Sequence, residues 1–358
     1  MPAPVASRRA RLLTPFALQN SAAQDPLAIT NVRLYAAPAR LYARIETRSG
    51  IKGWGDCAPA GAEAVSRARQ QLLNQPASAY TALEGALPAE VASAAVLAML
   101  DCLGQHTKAP VYQLLGGPTR FKVRVMAHVA GAAEVRAARA AGHRAFALAI
   151  PAPPFPNSGK LYVNRIRALF DEARATAGEG CDFVLNANGQ LTAGDAAQLA
   201  AEFERAHLLW LEEPCRHGNH AALRKLGEEA VTPIGLGRDC RHASEFQDIL
   251  REETADLLRP SLDHFPLTRI RKIAALAETY YIAVAPTHTG GTLTTAAALH
   301  AAASMPNFFL THLPARAPDD PVRGLDLTVR DGYVTLPTAP GLGITVDEAA
   351  LARYEVRS

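Results

Sequence analysis

Hydrophobic positions divide the chain into three textures. Residues 28–57 alternate or run apolar in short stretches, at 29–35, 41–46 and 51–56, with Ser49-Gly50 as a turn signal between the last two. That pattern predicts a meander of strands. Residues 62–106 are Ala-rich, and Leu72, Leu73, Leu83 and Leu87 are followed by Val96, Met99 and Leu103 at helical spacing. Together these form a small α+β domain. From Lys122 onward brief apolar runs, at 123–129, 145–150, 183–185, 208–211, 234–236, 257–258, 282–285 and 308–310, alternate with amphipathic stretches such as 193–205, 244–251, 267–279 and 292–304. Continuous apolar strands separated by helices predict a parallel sheet covered on its outer face. Eight strand candidates at this spacing favour closure into a (β/α) TIM-type barrel. The tail, 324–347, returns to strand and turn chemistry (Asp331-Gly332, Pro340-Gly341). The expected α/β organisation is therefore a flexible arm at 1–27, an α+β capping domain at 28–121, a barrel at 122–318, and a segment at 319–358 that returns to and completes the capping domain.

Composition supports a globular chain. Of 358 residues, 49% are hydrophobic and 20% charged, enough apolar material for a large core. A net charge of +3 leaves no electrostatic footprint for nucleic acid or a membrane surface. No apolar run approaches the roughly 20 residues of a membrane span. The five cysteines (Cys57, Cys102, Cys181, Cys215, Cys240) are odd in number and lack CxxC spacing, which points to free thiols in a reducing, cytoplasmic compartment. Ser7-Arg8-Arg9 ahead of a short apolar stretch allows a twin-arginine export signal as the minor alternative.

In such a barrel the chemistry sits at the C-terminal ends of the strands. Those ends carry Ala147-Leu148-Ala149-Ile150 on the second strand, Asn186-Ala187-Asn188-Gly189 on the third, Glu212-Glu213-Pro214 on the fourth and Gly237-Arg238-Asp239 on the fifth. The sixth carries Ser261 and Asp263-His264, and the seventh Thr287-His288-Thr289. Asn186, Glu212 and Arg238 are each separated by 26 residues, one βα unit, so they are expected side by side at the mouth.

Asn186-Ala187-Asn188-Gly189, Glu212-Glu213-Pro214, Val111-Tyr112-Gln113-Leu114-Leu115-Gly116-Gly117 and Pro340-Gly341-Leu342-Gly343 occur in order and at matching intervals. This set resembles the enolase superfamily, of the mandelate racemase and muconate-lactonizing type, nearest to its galactonate dehydratase-like branch. The resemblance runs from about residue 28 to 354. It implies proton abstraction next to a carboxylate, with Mg²⁺ held by three strand-end carboxylates stabilising the enediolate. It also implies a base from the second-strand Lys, or from a seventh-strand His with a sixth-strand Asp.

The family's Asp, Glu and Glu ligand places fall on Asn186, Glu212 and Arg238. A guanidinium about 4 Å from a dication repels it by several kcal/mol even at an effective dielectric of about 20. Bound Mg²⁺ is therefore expected to be weak or absent. The second-strand Lys places fall on Ala147 and Ala149. His288 stands one residue beyond the family's His, and Asp263 two beyond its Asp. By carry-over, the candidate catalytic residues are His288, Asp263 and Arg238. Asn188, Glu213, Asp239 and Thr287 are the candidates for substrate binding, and Asn186 and Glu212 for the remaining metal positions. Three readings stay open: a degenerate, dehydratase-like protein binding a small carboxylate such as a sugar acid; an active acid-sugar dehydratase; and a metal-independent isomerase using His288 with Asp263. The loss of two ligand carboxylates and one base favours the first. The resemblance also implies a homo-oligomer.

Overall fold

The computed structural model describes residues 25–216 and 218–356; the Ser7-Arg8-Arg9 reading and most of the expected arm lie outside them. Strands β1 (Ile29–Ala36), β2 (Leu41–Thr47) and β3 (Lys52–Cys57) form an antiparallel sheet in that order. Helix α1 (Ala62–Leu72), the short α2 (Tyr80–Glu84) and α3 (Ala89–His106) follow. The expected helical stretch is thus interrupted. Asn74 adopts φ 64°, and Pro76 and Pro88 stand directly before new turns, where a ring without an N–H is tolerated. Helix α3 packs against β3 at close range. A Cβ on Gly53 would lie 2.1 Å from Ala98 O, and one on Gly55 2.0 Å from Ala94 O, so both positions require glycine.

The second unit is a closed barrel. Strands β4 (Lys122–Val129), β5 (Ala145–Ala149), β6 (Asp182–Asn186), β7 (Trp210–Glu212), β8 (Ile234–Leu236), β9 (Leu257–Leu258) and β10 (Ala283–Val284) pair in parallel, each with the next. The last strand, β11 (Thr311–His312), pairs with β4. Its run 308–312 also closes on β10, through the Val284–Phe308 bridge and a 2.9 Å bond from Phe309 N to Val284 O. The eighth strand therefore lies slightly later than the apolar run at 308–310 suggested. Helices α5 (Ala132–Ala140), α6 (Gly159–Ala177), α7 (Ala193–Phe203), α8 (His220–Glu229), α9 (Ala243–Arg251), α10 (Leu267–Glu278) and α11 (Thr292–Ser304) cover the outside, after a short α4 (Val111–Leu114) that precedes the barrel.

Inside the barrel, Met126, Ala145, Ala147, Val184, Trp210, Leu257, Ala285 and Leu310 form an apolar plug. Side chains alternate along a strand, so residues two positions further on face the same interior, one level nearer the mouth. That rule places His128, Ala149, Asn186, Glu212, Arg259 and His312 in the next layer.

The C-terminal segment binds both units. Tyr333–Thr335 adds an antiparallel strand to β4 of the barrel, a contact the sequence did not suggest. Further on, the chain returns to the capping domain as expected: Tyr35 bridges Glu355, and Glu348 pairs with Arg44. Asp101 on α3 accepts hydrogen bonds from Trp54 N (3.0 Å) and Leu342 N (2.8 Å), tying capping sheet, helix and closing segment at one buried carboxylate. All five cysteines are free. Among the described residues no helix is long and apolar enough to cross a membrane.

Candidate active site at the barrel mouth

Asn186 and Glu212 end neighbouring strands in direct register. Arg238 follows β8 and directs Nη1 between them, 3.3 Å from Asn186 Oδ1 and 3.5 Å from Glu212 Oε1. The three residues therefore meet as their spacing implied. A second guanidinium joins them. Arg259, fully buried, places Nη2 3.4 Å from Glu212 Oε1 and Nε 3.3 Å from Oε2, donates from Nη1 to Ala285 O, and lies over the Trp210 ring. Trp210 Nε1 donates to Glu212 Oε2 at 3.3 Å. Burial alone would raise the Glu212 pKa. Arg259, His128 and Arg238 outweigh it and hold the carboxyl below its usual range. One carboxylate thus faces two guanidiniums. Only Arg238, with a side-chain exposure of 20%, remains open to the mouth.

Three histidines line the opposite arc. His128 on β4 and His312 on β11 stack with ring centroids 3.6 Å apart, and His288 lies 5.9 Å from His312. Burial pushes His288 down to about 4 and His312 well below its ordinary value, so both are neutral near pH 7. His128 keeps solvent exposure at the mouth, whereas both ring nitrogens of His288 are buried without a hydrogen-bond partner.

Asp263 is engaged elsewhere. Arg40, on the capping loop between β1 and β2, donates from Nη1 to Asp263 Oδ1 (3.1 Å), from Nε to Asp56 Oδ2 (3.1 Å) and from Nη2 to Thr294 Oγ1 (2.5 Å). Thr289 N donates to Asp263 Oδ2 at 2.7 Å. The capping domain is thereby pinned to the ends of β9 and β10 through the residue expected to assist His288. Thr287 is buried, and its backbone bridges Ser261. Glu213 turns away from the interior and accepts backbone bonds from Gly237 N (2.7 Å) and Arg238 N (2.8 Å). Together with Asn188, Gln190, Arg216 and Asp239 it lines a cavity of about 640 Å³.

Arg259, His128, His312 and Arg40 were not among the residues singled out from sequence. The first three were legible: each stands two positions beyond an apolar, inward-facing strand residue, Leu257, Met126 and Leu310. Arg40 was not, because it arrives from another domain.

Comparison with known proteins places this geometry in context. Residues 130–350 match the family described as Enolase C-terminal domain-like, and residues 20–116 the Mandelate racemase / muconate lactonizing enzyme, N-terminal domain. The D-mannonate dehydratase of Caulobacter sp. (strain K31) is 29% identical over 294 residues, covering 72% of each chain. The D-galactonate dehydratase of Ralstonia pickettii (strain 12J) is 28% identical over 353 residues, 90% of this chain and 92% of that one. A mandelate racemase/muconate lactonizing enzyme-like protein from Rubrobacter xylanophilus superposes with a TM-score of 0.82 at 24% identity, over 93% of this chain and 98% of that structure, and shares the fold.

Proposed function

Because this chain belongs to the mandelate racemase and muconate lactonizing enzyme family of the enolase superfamily, we propose that its mouth binds the carboxylate of a sugar acid on Arg238. In this reading the chain is a dehydratase-like protein that does not run Mg²⁺-dependent dehydration. The observation that carries the reading is Arg238 Nη1 between Asn186 Oδ1 and Glu212 Oε1. Members of the superfamily use Mg²⁺ at this end of the barrel. Here the donor set does not fit a hard dication. Asn186 Oδ1 already accepts from Asn188 N and Arg238, both Glu212 oxygens face guanidiniums, and the third corner is itself a cation.

A fixed positive charge at that corner suits an anion instead. A guanidinium recognises a carboxylate through paired N–H donors. The sugar-acid class comes from the relatives, named as dehydratases of D-mannonate, D-galactonate and D-xylonate. Asn188 and Asp239 at the neighbouring cavity supply polar groups for hydroxyls. Arg259 stays beneath the ligand as the counter-charge of Glu212.

The isomerase reading is weaker. His288, pushed down to about 4, is a poor base for a carbon-bound proton, and Asp263 is committed to Arg40 and Thr289 N. Thermal unfolding with D-galactonate, D-mannonate and D-xylonate, each with EDTA or with Mg²⁺, tests the proposal. At least one acid is expected to raise the melting temperature equally in both conditions, with no 2-keto acid formed. Micromolar Mg²⁺ affinity lost in Glu212→Gln, or formation of a 2-keto product, would overturn it.

A further inference from the structure

We propose that Glu213 is the positioning residue that sets the Arg238 guanidinium, and through it the affinity of the mouth for carboxylates. This rests on the reading of Arg238 as the carboxylate-binding group. Glu213 is buried at the end of β7 and adopts φ 44°, a left-handed conformation that residues with a Cβ rarely take. Such strain persists where the surroundings over-determine it. Here the surroundings are the three adjoining strand ends. Glu213 N donates to Gly235 O at 2.9 Å, and Glu213 O accepts from Gly189 N. The left-handed turn directs the side chain towards the loop after β8 while Glu212, the preceding residue, stays inside the barrel. One oxygen, Oε1, then accepts from both Gly237 N and Arg238 N.

Those two backbone bonds hold the peptide from which the Arg238 side chain departs. Gly237 itself has little freedom: φ is +111°, and a Cβ there would lie 2.4 Å from Phe246 Cε1. The loop is therefore seated on Phe246 on one side and on the Glu213 carboxyl on the other. Burial pushes that carboxyl up to about 7, yet an acceptor oxygen is present in either protonation state.

The test uses the full chain with ¹⁵N-arginine, the Arg238 Nε–Hε signal being assigned from Arg238→Lys. Glu213→Asp withdraws the acceptor by one methylene, and Glu213→Gln keeps a carbonyl oxygen in place. The Arg238 signal is expected to move in Glu213→Asp and to return near the wild-type position in Glu213→Gln, with the Arg259 signal unmoved in both. D-galactonate binding, read by calorimetry, is expected to weaken roughly tenfold or more in the Asp variant and to recover in the Gln variant. An Arg238 signal unchanged in folded Glu213→Asp, or a Gln variant behaving like the Asp variant, would overturn the proposal. A shifted Arg238 signal in a protein whose wild type ignores every sugar acid would refute the binding reading while supporting the Glu213–Arg238 linkage.

Discussion

Glu212 and Arg259 are both fully buried, with Arg259 Nε 3.3 Å from Glu212 Oε2, directly above the apolar plug of the barrel. Removing one partner of a buried pair leaves an uncompensated charge and typically costs about 3–5 kcal/mol. Glu212→Leu is therefore expected to lose several kcal/mol in urea denaturation. Glu212→Leu combined with Arg259→Met is expected to lose less than the single variant, since the fully buried guanidinium is then gone and only Arg238, open to the mouth, lacks its partner. Additive losses in the double variant would show that the pair is not energetically coupled.

The proposed anion site can be inverted. Asn186→Asp with Arg238→Glu would place three carboxylates at three adjoining strand ends, the oxygen donor set a hard dication prefers. Mg²⁺ titration monitored by melting temperature is expected to stabilise the double variant and not the wild type, while D-galactonate stabilises only the wild type. Equal response of the two proteins to Mg²⁺ would contradict the role given to Arg238.

Asp101 joins three elements with one carboxylate. Asp101→Ala would orphan the buried N–H groups of Trp54 and Leu342, at about 1–3 kcal/mol each. Asp101→Asn retains one acceptor oxygen and should lose about half as much. Gly341→Ala is expected to destabilise as well, because a Cβ there would lie 2.2 Å from Asp101 Oδ1 at φ +68°. Denaturant midpoints of the three variants check the order.

Acid should unfold this protein through its buried histidines. His300 Nδ1 accepts from Tyr112 N at 3.2 Å, and its Nε2 faces Leu342 O at 3.3 Å. The ring is therefore a neutral tautomer, and protonation would set two N–H donors against each other. Burial lowers its pKa from 6.5 to about 4. A depressed folded-state value means the unfolded chain binds the proton more tightly. This stability is fully present above about 6.5 and is lost as pH falls through about 4. His288, also fully enclosed, acts in the same window and the same direction. Denaturation midpoints between pH 7.5 and 4.5 should fall steeply, and less steeply in His300→Gln. A flat profile would contradict the neutral, buried assignment.

What the sequence determined by itself is the strand-and-helix order and the meeting of Asn186, Glu212 and Arg238. Both follow from local rules: an apolar run makes a buried strand, and a repeated βα interval brings successive strand ends together. The period of two along a strand also encoded the inward direction of His128, Arg259 and His312. Tertiary structure alone decided the partners. Arg40 crosses from the capping loop to take Asp263, Arg259 doubles the positive charge on Glu212, and Glu213 turns outward to hold the Arg238 loop. Arg40 and Asp263 stand 223 positions apart, and even Arg259 and Glu212 stand 47 apart, so these pairings depend on how two domains and eight strands close on one another, which no local pattern in the chain records.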